Sequence, residues 1–404
     1  MKPSASDRAP LWSRSYLLVM AANFAVLTAI SMLMSTLPLY AKDIGGSNAV
    51  SGLVVGIYAF SSLLCRPFIG VLLDAKGRRG VLLAGGSILL VVFLSYHLAA
   101  SITALLVIRV LQGAGFSAHS TSAGTIIADV VPRSRLTEGI GYYGITVTLP
   151  TAFGPTLGLY LIKEYGYGVL FNSASTITAI GLLLAMFINY ENSGTRASDR
   201  AAIRKDNVFF ERSALLPGLV MFCITLGLGG IITFLPQFAA ERGIDGIGSY
   251  FTVYACALLA SRLFSGRLAD RAGLAWVVYP GVGLLTVSYV ILAYAPTLSV
   301  SLLSAVMFGL GFGSVQPAMN AVVIRGVQPE RKGAASAVFN AAMDSGMGIG
   351  SMVWGVMSQY LGFTSVYLAC AGCAAMSIII YLSLQAVSRN QPGESRLHPS
   401  HRQR

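Results

Sequence analysis

The sequence predicts an all-α membrane protein of twelve transmembrane helices, arranged as two pseudo-symmetric six-helix bundles. Three observations predict it. Of 404 residues, 55% are hydrophobic and only 11% charged, against roughly 25% charged in soluble domains, so most of the surface must face lipid. The apolar runs reach about 20 residues, the length a helix needs to cross a hydrocarbon core, without the ten-residue alternation of a membrane barrel. Finally, Arg66-Pro-Phe-Ile-Gly70-Val-Leu-Leu-Asp74-Ala-Lys-Gly77 recurs 196 positions later as Arg262-Leu-Phe-Ser-Gly266-Arg-Leu-Ala-Asp270-Arg-Ala-Gly273, with six of twelve positions identical. Pro132-Arg-Ser-Arg135 and Pro329-Glu-Arg-Lys332 are a second, shorter echo. Duplicated membrane bundles are a common way to build solute carriers.

The spans run in order as 16–40, 50–73, 81–99, 103–128, 139–162 and 167–189 in the first half. In the second they run 214–238, 247–270, 275–295, 298–322, 333–357 and 363–386. The first follows Arg8 and Arg14 as a signal peptide would, but it is too long for one and many spans follow, so it reads as retained. Spans two and eight each close on a copy of the repeated segment. Residues 1–15 form an N-terminal segment, 190–213 a charged linker between the halves, and 387–404 a polar tail.

The net charge of +12 raises the question of nucleic acid. Its distribution argues otherwise. Of 28 Lys and Arg residues, 22 fall in or beside the segments on the side of both termini, and only Lys42, Lys163 and Arg242 lie in the opposite loops. That asymmetry is the positive-inside rule and puts both termini in the cytoplasm of a cell (inner) membrane. The five cysteines all fall within spans, and Cys370-x-x-Cys373 has no second pair or histidine cluster near it. No metal or cofactor is expected. The expected partners are a small-molecule substrate, protons and lipid, and the chain is expected to act as a monomer.

Gly70-x-Leu72-x-Asp74-x-x-Gly77-Arg78-Arg79, between spans two and three, resembles the signature cytoplasmic loop of the major facilitator superfamily, with Ala75 where an Arg is usual. The second copy keeps Gly266, Leu268, Asp270 and Gly273 without the trailing basic pair. The resemblance covers residues 14 to about 387. It implies alternating access, with spans one, four, seven and ten lining a central cavity. Gly70 and Gly266 would let helices approach closely. Asp74 would meet the N-terminus of span eleven, where the helix dipole favours a carboxylate, while Arg78 and Arg79 would pair across the halves. Gly77 and Asp270 belong to the same gate, or else to a plain turn with interfacial charges. In span five, Gly141…Pro150…Gly154-Pro155…Gly158-Leu159 resembles the motif of drug/proton antiporters, with Pro150 and Leu159 where that motif has glycines. Its Gly-Pro pair bends the helix, and its small residues would pack against span eight.

Asp344 is the one acid deep inside a span. An ionised carboxylate there must pair, face water or take up a proton. It serves either proton coupling or a structural hydrogen bond. Arg109-x-x-Gln112-Gly113 resembles a motif of proton-coupled members, and Arg109 is expected to influence a nearby acid, polarise a polar network, or snorkel outward. His119 is a proton relay, a substrate ligand, or a ring bonded to a helix carbonyl. Asn23, Gln112, Gln237, Gln316, Asn320 and Asn340 are the other candidates for substrate contact. Together these features predict proton-driven export of a small, amphipathic organic compound. Uptake by proton symport and export of a metal-chelating, opine-like molecule are the alternatives. A non-transporting sensor has no soluble domain to support it, there is no P-loop for ATP hydrolysis, and the polar groups are too dispersed for an enzyme.

Overall fold

The computed structural model describes residues 11–132, 135–189, 212–325, 327 and 331–389. Among them are ten α-helices and no strand. These are α1 (Arg14–Asp43), α2 (Asn48–Lys76), α3 (Arg78–Ser95), α4 (Ile102–Val130) and α5 (Leu136–Met186) in the first half. In the second half they are α6 (Leu215–Glu241), α7 (Ser249–Ala272), α8 (Ala275–Ala293), α9 (Leu298–Arg325) and α10 (Lys332–Arg389). Ser13, Ser47 and Ser101 cap α1, α2 and α4 by accepting from the backbone N–H groups of Tyr16, Val50 and Ala104.

Two helices are too long for one crossing. α5 has 51 residues and α10 has 58, and each is broken at a glycine with φ of 80° at Gly166 and 75° at Gly362. A side chain would be strained at that dihedral, so glycine is what lets the chain turn there. It does turn. Before the break, α5 runs with α1: Tyr16 bonds Gly139 O and Asn23 bonds Thr146. After it, α5 runs back along α1, from Tyr167 on Asp43 to Asn189 O on Ser15. α10 repeats this against α6. The expected spans five and six therefore meet at Gly166, and eleven and twelve at Gly362, each pair joined through a single non-helical glycine rather than through a longer loop.

Nine of the ten described helices are long and apolar enough to cross a membrane. The exception is α7, expected as span 247–270, because its second half carries Arg262, Arg267, Asp270 and Arg271. Each half has its own core. Phe234, Phe238, Tyr250, Tyr289, Phe308 and Tyr367 centre the second, and Leu33, Phe93, Tyr96, Leu105 and Phe171 the first. The repeat extends into packing: Gly113 lies against Tyr58 O, and Gly309 against Tyr254 O, both pairs offset by 196. The linker 190–211, the residues before 11 and those after 389 lie outside the described residues, as do the side chains of Asp74 and Asp270.

Candidate functional site

The two halves meet tightly at the end opposite the termini. Thr156 of α5 donates to Gly248 O at 2.6 Å and lies 2.9 Å from the Thr252 hydroxyl of α7. Gln237 Nε2 of α6 reaches Pro38 O of α1 at 3.4 Å, and the exposed Lys163 and Asp245 lie 3.6 Å apart. Between α2 and α10 the backbones nearly touch. A Cβ added to Gly52 would overlap the Ser351 carbonyl, and one on Gly355 would crowd Asn48 O. Small residues are what permit such an approach.

The same helices part toward the other end. Gly70 lies fourteen residues beyond Gly56, about 40° around an ideal helix, so it shares that face. Yet a Cβ on Gly70 would meet nothing within 4 Å, whereas one on Gly56 would strike Met352. Gly266 lies five turns from Gly248 on one face of α7, and it too is open. The expected close approach at Gly70 and Gly266 is absent because the halves splay at the end bearing the termini. Gly77 instead ends α2 with φ 78°. Arg78 is ion-paired with Asp129, and Arg79 donates to Met186 O at 2.6 Å. These contacts join α3 to α4 and α5 within the first half. The role anticipated for Asp74 and Asp270 falls on side chains outside the described residues.

Midway along the cleft, Arg66 Nη2 of α2 lies 2.6 Å from Asp344 Oδ2 of α10, with side chains 30% and 34% exposed. This ion pair bridges the halves. Its repeat counterpart makes a cross-half contact of its own: Arg262 of α7 donates to Thr148 Oγ1 of α5 at 3.1 Å and to Gln316 Oε1 of α9 at 2.9 Å. Arg262 is Arg66 plus 196, and Asp344 is Thr148 plus 196. The two cross-half contacts are thus images of one another, with a carboxylate in one and a hydroxyl in the other. Sequence reasoning located Asp344 but missed its partner. The signal was there: Arg66 and Arg262 begin the two copies of the repeated segment.

Arg109 is fully buried inside the first half. Its guanidinium donates to Val54 O at 2.8 Å and to Gln112 Oε1 at 2.9 Å, and stands 4.8 Å from the centre of the Tyr58 ring. Tyr96 donates to the same Gln112 oxygen. No carboxylate of the described residues is within ion-pair distance of Arg109. Of the expected uses, only the polar network is present, and it ties α2, α4 and the end of α3 together. We expect Gln112→Leu to leave the guanidinium one acceptor short. The cost is about 1.5–3 kcal/mol, read as a lower melting temperature of the detergent-purified protein.

The remaining candidates separate by exposure. Asn23 is fully buried and donates to Thr146 Oγ1 at 3.0 Å, cementing α1 to α5. His119 is 2% exposed, with no hydrogen-bond partner on either ring nitrogen and no carbonyl bond. Gln237 belongs to the closed end. Asn23, Gln112, His119 and Gln237 are thus buried within the protein in this conformation. Gln316 and Asn320 are half-buried on α9, and Asn340 is exposed one turn before Asp344. Gly154 and Gly158, with Pro155 between them, pack on Ser31 and Met32 of α1 rather than on span eight; Thr156 makes that contact instead.

A helical membrane bundle of duplicated halves, closed at one end and parted at the other around a cross-half ion pair, has the architecture of a solute carrier. The family model described as Major Facilitator Superfamily matches residues 19–350 and 218–403, and the chain belongs to that superfamily. It is therefore a multi-pass membrane transporter. It is 27% identical over 379 residues to the uncharacterized MFS-type transporter YhhS of Escherichia coli (strain K12), covering 89% of each chain. It is 24% identical over 382 residues to the staphylopine export protein of Staphylococcus aureus (strain Mu50 / ATCC 700699), covering 90% of this chain and 94% of that one. Among solved structures, a bacterial homolog of the human lysosomal transporter Spinster, in an inward-facing and occupied conformation, superimposes with a TM-score of 0.76. It is 18% identical and covers 95% of this chain and 98% of its own, a likeness of fold alone.

Proposed function

We propose that this protein exports a small, amphipathic organic compound from the cytoplasm by proton antiport through alternating access. The observation that carries the proposal is the Arg66–Asp344 pair, a titratable contact between the two moving halves within a half-exposed cleft. Counting the two limbs of α5 and of α10 separately gives an even number of helical segments, which leaves both termini on one side, and the charge asymmetry supports the cytoplasmic side. The conformation is then inward-facing. With Asp344 ionised the pair holds this state. In the opposite orientation a proton from outside binds the unpaired carboxylate; on return to the inward-facing state the proton leaves to the cytoplasm and the pair re-forms, so protonation changes the relative stability of the two orientations. Substrate and proton drive exchange because each binds the two orientations unequally. The Staphylococcus aureus relative, an export protein by name, supports the outward direction and keeps a metallophore-like cargo as a second reading.

The test uses everted vesicles that are acid inside, with an acridine dye reporting the gradient and a panel of organic compounds added outside. An antiporter releases protons as its substrate enters, so the dye brightens with at least one compound in vesicles containing the protein and not in empty ones. Brightening with no compound, alongside compound-dependent acidification in right-side-out vesicles, would establish symport instead.

A further inference from the structure

We propose that Arg262 is the docking point for a carboxylate carried by the transported compound. The proposal rests on the transport reading above and adds the chemical class of its cargo. Arg66 and Arg262 are repeat mates, yet their surroundings differ in charge. Arg66 has Asp344 at 2.6 Å. Arg262 has only the neutral oxygens of Thr148 and Gln316, and no carboxylate of the described residues is within ion-pair distance. The two repeat-related contacts together therefore hold two guanidinium groups and one carboxylate. An uncompensated cation at membrane depth is costly, and such groups are found facing water-filled pathways or ligands.

The side chain is also poised. Thr148 donates its own proton to Gly144 O at 3.0 Å, which leaves its lone pairs for Arg262. Gln316 turns its oxygen to Arg262 and its nitrogen toward Met343 Sδ at 4.0 Å. Two neutral acceptors thus fix the guanidinium plane without cancelling its charge. Arg262 is exposed, and its fork presents further N–H donors in the geometry that matches a carboxylate. Met343 adjoins Asp344, so a compound held at Arg262 sits beside the coupling acid. The half-buried Met343 and Tyr254 offer its apolar body a surface.

The test measures thermal stabilisation of the full chain in detergent by 2-naphthoate and N-benzoylglycine, each against its uncharged carboxamide. Wild type should be stabilised by at least one acid and not by its amide. R262Q should weaken that acid about tenfold to a hundredfold, the value of a charge-assisted hydrogen bond, with the amide unchanged. A second variant, Thr148→Asp, supplies in place the carboxylate that the repeat mate has; it should occupy Arg262 and erase the preference for acids. Equal stabilisation by acid and amide, no stabilisation by either acid, or an acid preference that survives both R262Q and T148D would overturn the proposal. Asp344→Asn should keep the preference. Were that variant to keep proton-driven flux as well, the coupling reading would fail while the anion site stood.

Discussion

Asp344→Asn is expected to reduce proton-driven flux to the level of empty vesicles while the protein still folds and reaches the membrane. The amide oxygen can still accept from Arg66, so the fold loses only the charge in a pair that is about one-third exposed. Solvent screening at such exposure limits the loss to about 1 kcal/mol. What disappears is titration. An amide cannot alternate between a paired anion and an unpaired acid, so protons lose their differential affinity for the two orientations and drive nothing. Exchange of labelled for unlabelled substrate, which needs no net proton movement, should survive. Measuring both in one vesicle preparation separates coupling from folding, and pH-dependent flux equal to wild type would remove Asp344 from the coupling role.

A disulfide joining Thr156→Cys and Thr252→Cys should stop transport completely. The two hydroxyl oxygens lie 2.9 Å apart on opposite halves. Thiols in their place are close enough to form a bond of about 2.05 Å with a small adjustment of χ1. These residues sit in the closed end, and alternating access requires that end to part. In a variant with its five native cysteines replaced, oxidation should abolish flux and reductant should restore it. Each single substitution should remain active under oxidant. Full activity with the bond formed, verified by mobility after cleavage between the halves, would mean that the closed end never opens.

Much of the fold was legible because lipid leaves so few solutions. Long apolar runs and a segment repeated 196 positions apart announce the helices and the duplication. The breaks at Gly166 and Gly362 fall between the apolar runs that end at 162 and 357 and those that begin at 167 and 363, and Lys163-Glu164 marks the first of them with charge. The site was legible by halves. Asp344 stood out as a lone acid, but pairing depends on how helices distant in sequence meet, and nothing local to Arg66 announces Asp344. Arg109 and Gln112 looked exceptional for the same reason as Asp344, being polar in an apolar run. Hydrophobicity does not distinguish a polar residue that faces a cleft from one that holds a helix pair together. Burial adds what hydropathy lacks: Arg109, Gln112 and Asn23 are each fully buried in this conformation.

If the proton state of Asp344 governs which end is open, the parted end must respond to pH. Pulsed electron-spin measurements between labels at Lys76→Cys and Arg271→Cys, both exposed at the parted end, follow that opening directly. At mildly alkaline pH, with Asp344 charged and paired, the long distance should dominate. Acid should shift the population to a shorter one, and Asp344→Asn should show the short population at both. A distribution that ignores pH in the wild type, or moves equally in the variant, would contradict the account.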